Sequence, residues 1–197
     1  MPPRPARSCL FLAVLALAAC SRAASELEPP PSASSSAPAV APLIWDVPGA
    51  WTVMETPHTG PRKAIYKVPK AGNDKEDAEL SVFFFGTGNK GDPPKNFKDW
   101  FDQFDGDVGA VAQRESFDVR ALKVDTVEVG GTYKVPMGPA LGPKKKAPMQ
   151  MVKQNFRLYG AVVKTSDRGN WFFKLTGPDE TVQAARPAMR TLLESAR

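Results

Sequence analysis

Two stretches constrain the fold more than any other. Glu79 to Phe85 reads Glu-Leu-Ser-Val-Phe-Phe-Phe, and Asn170 to Thr176 reads Asn-Trp-Phe-Phe-Lys-Leu-Thr. Successive strand residues point to opposite faces. In the second stretch Trp171, Phe173 and Leu175 therefore share one face, while Phe172 and Thr176 share the other. The first becomes apolar on both faces toward its end. A strand of this kind is central and needs cover on two sides. Whatever else the chain does, it must place a layer against each face of a sheet.

Two helices are predicted to supply that cover. In the first, Asp92 stands at the cap position and Pro93 in the first turn. Phe97, Trp100, Phe101 and Phe104 then recur at i, i+3, i+4 and i+7, opposite Lys95, Lys98, Asp99 and Asp102. Gly106 stops it. Such a stripe marks a core face in preference to a ligand groove. The second helix starts at Gly177-Pro178-Asp179-Glu180, with proline and acidic residues where orphan amides and the dipole favour them. Its buried stripe is Val182, Ala185, Met189, Leu192 and Leu193. Pro187 lies inside it, which predicts a kink or two short consecutive helices.

The other strands follow from alternation and turn residues. Trp51-Thr52-Val53 suggests a first strand, and Lys63 to Val68 places Ala64, Tyr66 and Val68 on one face. Ala71 to Asp77 is loop-like. Ala121 to Tyr133 is rich in Val and Thr, with Gly130-Gly131 marking a bulge or a hairpin turn, a bend being preferred. Asn155 to Thr165 and Asn170 to Thr176 form a hairpin across Ser166-Asp167-Arg168-Gly169. Between these, Lys134 to Gln150 carries four prolines around Lys144, Lys145 and Lys146 and is predicted to be a long exposed loop. It is either a contact surface or a solvated insertion. The order β-β-β-α-β-β-β-α predicts an α+β domain over residues 43–197, an antiparallel sheet of about six strands covered by helices.

The chain's start sets its compartment. Arg4 and Arg7 precede an apolar run from Leu10, which ends in small residues before Cys20, the layout of a secretory signal. The run is too short for a bilayer span, which takes roughly 20 apolar residues. Residues 21–42 are dominated by Pro, Ser and Ala and read as a disordered tether. Beyond it, 23 basic residues face 19 acidic ones for a net charge of +4. That is a mild bias and no nucleic-acid footprint.

Leu17-Ala18-Ala19-Cys20 resembles the lipobox of bacterial lipoproteins. The resemblance implies a signal peptide at residues 1–19, a lipidated Cys20 opening the tether, and cleavage and acylation at that cysteine. The alternative is an ordinary signal cut near Ala23-Ala24. Two or more acyl chains anchor stably, since each buried methylene contributes about 0.8 kcal/mol. Ser21, by the same resemblance, directs the protein to the outer membrane. Cys9 is removed with the signal and Cys20 is consumed by lipid. The domain then has no thiol, no disulfide and no cysteine metal site, and its core alone must hold it.

A second resemblance covers most of the domain. The element order, Trp100 and Gln103-Phe104, Gly131-Thr132-Tyr133, and Trp171 to Pro178 leading into the last helix resemble the PsbP-like fold. This implies a binding or assembly protein without catalysis. No ligand residues carry over from that family.

Catalytic constellations are not found. His58 is the only histidine and lies in a Thr-Pro-His-Thr-Gly turn, where a solvated role outweighs catalysis or metal binding. Gly86-Thr87-Gly88 lacks the third glycine and helix start of a dinucleotide site. Asp102, Asp105 and Asp107 supply hard oxygen ligands without the spacing of a calcium loop. The expectation is a membrane-anchored envelope lipoprotein with a non-catalytic binding domain, an envelope protein as partner, and neither cofactor nor nucleic acid. The alternative is an envelope hydrolase or polymer-modifying enzyme using separated carboxylates.

Overall fold

Three strands come first: β1 (Thr52–Met54), β2 (Arg62–Val68) and β3 (Ala78–Phe84). Helix α1 (Pro93–Phe101) follows, then β4 (Gln113–Val119), β5 (Leu122–Met137), β6 (Met149–Lys164), β7 (Asn170–Pro178) and helix α2 (Asp179–Glu194). The computed structural model describes residues 42–87, 91–137 and 149–197. The strands form one open antiparallel sheet in the order β1-β2-β3-β7-β6-β5-β4. The fold is α+β. Among the described residues no helix is long and apolar enough to cross a membrane.

The two stretches that demanded cover are neighbours at the centre of the sheet, with Leu80 opposite Leu175 and Val82 opposite Phe173. Helix α2 lies on one face, where Val182, Met189, Leu192 and Leu193 bury against Leu80, Val82, Ala161, Val163, Phe173 and Leu175. Trp45, ahead of β1, joins this layer: its ring packs edge-on against Trp171 and Phe173, and its Nε1 donates to the Tyr66 hydroxyl at 3.0 Å. Helix α1 lies on the other face over Val127, Leu158, Val162 and Phe172. The Trp100 ring rests where a Cβ on Gly160 would stand, so that glycine admits the helix to the sheet.

A buried charge cluster ties α2 to the sheet. Arg157 donates from Nε to Asp179 at 2.7 Å and from a terminal nitrogen to Glu128 at 2.8 Å. Arg186 Nε reaches the second Glu128 oxygen at 3.3 Å. Glu128 is only 4 % exposed, and such a carboxylate needs these partners.

Several expectations are corrected. The sheet has seven strands, because Gln113–Val119 pairs along β5 from Gln113↔Glu128 to Val119↔Leu122. This edge strand is mostly solvent-exposed, so its sequence carries no burial pattern. Lys134–Met137 and Met149–Gln150 were expected to be loop but extend β5 and β6 into a two-stranded arm, with pairing from Tyr133↔Lys153 to Met137↔Met149. Cross-strand hydrogen bonds sustain it despite Pro136, whose edge position needs no ladder donor. Helix α2 runs unbroken from Asp179 to Glu194 with Pro187 inside, where two short helices had been one option. Asp92 is the N-cap residue of α1 without a side-chain cap bond; its carbonyl instead accepts from the Asn96 backbone at 3.0 Å and side chain at 2.9 Å.

Gly130-Gly131 is no hairpin turn. Gly131 pairs with Phe156 and Tyr133 with Lys153, so Thr132 alone faces both Gln154 and Asn155. The extra residue is on β6, where Asn155 takes φ 54°, a left-handed conformation that asparagine tolerates better than most residues.

Candidate binding site

Helix α1 has nine residues and spans roughly 14 Å at 1.5 Å per residue. It covers the β5-β6-β7 part of its face and leaves the β2-β3 part open. Alternation puts Glu79, Ser81 and Phe83 of β3 on that open face, beside Thr176, Lys174 and Phe172 of β7 in that order. All of these but Phe172 form the floor of a cavity of about 390 Å³. Its walls are the β5-β6 arm, with Tyr133, Val135, Lys153 and Phe156, and Arg62 of β2. Lys153 reaches Glu76 at 2.5 and 2.6 Å and joins the arm to the segment before β3.

The turn after α1 docks on the arm through backbone bonds. Asp105 N donates to the Thr132 carbonyl at 2.9 Å and Lys134 N to the Gln103 carbonyl at 2.7 Å. The Gln103 side chain is thereby held above the floor. Its Oε1 accepts from Lys174 Nζ at 2.5 Å and from the Tyr133 hydroxyl at 2.8 Å, and Lys174 Nζ also donates to that hydroxyl at 3.2 Å. Tyr133 stacks on Phe156 with ring centroids 5.8 Å apart.

Lys174 is a cation without a paired carboxylate among the described residues. Burial lowers its amine to about 8; the Glu79 charge opposes this and Arg62 adds to it. Burial likewise pushes the Tyr133 phenol up to about 12, with Glu79 reinforcing it. An ammonium has three donors, and Lys174 places two of them on neutral acceptors. Thr176 Oγ1 is buried without any hydrogen-bond partner. Glu79 accepts from Ser81 Oγ at 2.6 Å. Arg62 lies 5.4 Å over the Phe83 ring and has no acidic partner among the described residues. The site holds unspent donors and one carboxylate on a rigid floor.

A larger hollow, about 740 Å³, lies on the opposite side of α1 between Phe97, Phe101, Arg114 and Lys164. Most of its charges are paired, although Arg114 and Asp107 have no ionic partner among the described residues. Asp125 pairs with Lys164 and accepts from Ser116 at 2.7 Å; burial raises its carboxyl, but these two bonds outweigh it and hold the group below its ordinary range. Lys98 takes Asp102 at 2.6 Å, and Arg114 lies over Phe101. Size favours this hollow, whereas the desolvated Lys174 favours the smaller cavity as a candidate site for a polar ligand.

The residues singled out from the sequence do not meet at this site. Cys20, the tether and Lys144, Lys145 and Lys146 lie outside the described residues. His58 is exposed in the turn before β2. Asp102 is engaged by Lys98 and Asp105 by Lys134, and the described residues contain no cluster of three or more potential metal ligands. The one carboxylate buried among the described residues, Glu128, is bound by two arginines. In the sequence, Lys174, Tyr133 and Gln103 stand out only within the motifs that carry the PsbP-like resemblance. The signal was present: Lys174 interrupts Trp-Phe-Phe-Lys-Leu-Thr on a strand otherwise apolar on both faces. Compared with protein-family models and with curated proteins, the chain matches none.

Proposed function

We propose that the protein is a membrane-anchored envelope lipoprotein whose domain is a non-catalytic binding or assembly module, held to the membrane by lipid on Cys20. The binding surface is the open half of the α1 face, centred on Lys174. The observation that carries this is the uncovered floor, where Lys174 has three donors and only two acceptors among the described residues. Burying such donors without a partner is costly, and a ligand seated on them recovers that cost. The lipobox motif supports the anchor, and the PsbP-like reading draws on the three-strand, helix, strand-run, helix order. The carboxylate-hydrolase alternative needs two convergent buried carboxylates, and the described residues bring none together.

Site-directed photocrosslinking in intact cells tests the reading. A benzoylphenylalanine replacing Phe83 on the floor is expected to give a discrete adduct, while one replacing Gln183 on the exposed side of α2 gives none. Adducts at both positions, or at neither, would overturn it.

A further inference from the structure

The floor presents both signs of charge within two adjacent strands. Lys174 and Thr176 are two residues apart on one face of β7, roughly 7 Å at the rise of a strand. Glu79 is the direct cross-strand partner of Thr176, and Ser81 that of Lys174, which places their Cβ atoms about 5 Å apart. One Glu79 oxygen is spent on Ser81; the other has no partner among the described residues. Around the cavity, Lys153 pairs with Glu76 and Asp77 pairs with Lys67, which among the described residues leaves Arg62 and Lys174 against Glu79. Two unpaired cations beside one unpaired carboxylate make a short-range dipole.

Building on the reading of this face as a binding surface, we propose that the cavity takes the zwitterionic group of a free α-amino acid. The ligand carboxylate accepts from Lys174 Nζ and Arg62, and its ammonium donates to Glu79. The side chain lies against Phe83, Val135 and Phe156, the apolar part of the lining. A volume near 390 Å³ holds a medium-sized amino acid with water. The lowered amine of Lys174 agrees with a cation waiting for its counter-ion. Gln103 and Tyr133 then act as positioning residues, holding Nζ over the floor in the empty state.

The test uses the full chain in detergent micelles and ligand-observed NMR titrations at neutral pH. The probes are L-leucine, N-acetyl-L-leucine, which lacks the ammonium, and L-leucinamide, which lacks the carboxylate. L-Leucine is expected to bind, with each blocked analogue at least about tenfold weaker, the loss that follows from leaving a charged hydrogen-bonding group unpaired. Glu79→Gln should reduce the preference for L-leucine over N-acetyl-L-leucine to less than about threefold while leaving N-acetyl-L-leucine binding unchanged. Equal binding of either blocked analogue by the wild type, or no binding of L-leucine up to 50-fold the protein concentration at roughly millimolar protein, would overturn the proposal. If L-leucine fails while the Phe83 crosslink persists, the ligand class falls and the binding face stands. If both fail, both fall.

Discussion

Replacing Lys174 with methionine measures how strongly the floor of the cavity desolvates a cation. Lys174→Met keeps the length of the stem and removes the charge. Burial takes the amine from its ordinary 10.5 to about 8. That gap of about 2.5, at roughly 1.4 kcal/mol per pH unit, corresponds to about 3 kcal/mol of folding free energy withheld while the group is protonated in both states. Below pH 8 both states carry the proton and the penalty is complete. Above it the folded protein has released the proton and the unfolded chain has not, so stability rises by about 1.4 kcal/mol per pH unit. Tyr133 acts in the opposite sense above its ordinary value of 10, because the folded phenol keeps its proton up to about 12. The usable window is therefore pH 8 to 10. The methionine also loses bonds to Gln103 and Tyr133, about 1 kcal/mol each. The variant should be more stable than wild type by about 1 kcal/mol at pH 7 and less stable by a similar amount at pH 10. Urea denaturation of both proteins across this range reads the difference, in which other titrating groups largely cancel. A difference that stays flat with pH would refute a desolvated Lys174.

Three further perturbations probe the frame and the anchor. Glu128→Gln leaves Arg157 and Arg186 facing a neutral amide and should cost about 3 kcal/mol in urea denaturation; a cost below about 1 would show that solvent, and not Glu128, satisfies those arginines. Gly160→Ala drives a methyl into the Trp100 ring and should destabilise by about 1–3 kcal/mol with altered near-ultraviolet circular dichroism; an unchanged aromatic spectrum would contradict the seating of α1. Cys20→Ser should abolish incorporation of labelled fatty acid and release the protein from membranes, and persistent labelling would overturn lipidation at that residue.

The layers were legible because burial on two faces leaves a mark in sequence. Val82 to Phe85 and Trp171 to Leu175 announced a central pair, and the Phe97, Trp100, Phe101 stripe announced its cover. Strand β4 left no such mark: Gln113-Arg114-Glu115-Ser116 is exposed at the sheet edge, where solvent accepts almost any side chain. The arm was misread for a related reason, since prolines and exposed residues describe its ends as well as they describe a loop. The cavity was invisible until α1 had a length and a position. Lys174, Glu79 and Tyr133 are far apart in sequence, and only the strand order β3-β7-β6-β5 brings their faces together. A lysine inside an aromatic strand was the one local hint.

The bulge at Asn155 sets the phase of the cavity wall. Along β6, Phe156 and Lys153 are an odd number of residues apart, yet both line the cavity; in an unbroken strand they would point to opposite sides. One supernumerary residue thus works as a frameshift in side-chain direction, carrying Lys153 into the cavity. Changes in chain length between Met137 and Met149 leave that phase untouched, whereas gain or loss of a single residue between Lys153 and Phe156 would turn Lys153 out of the cavity. The wall is a count as much as a composition.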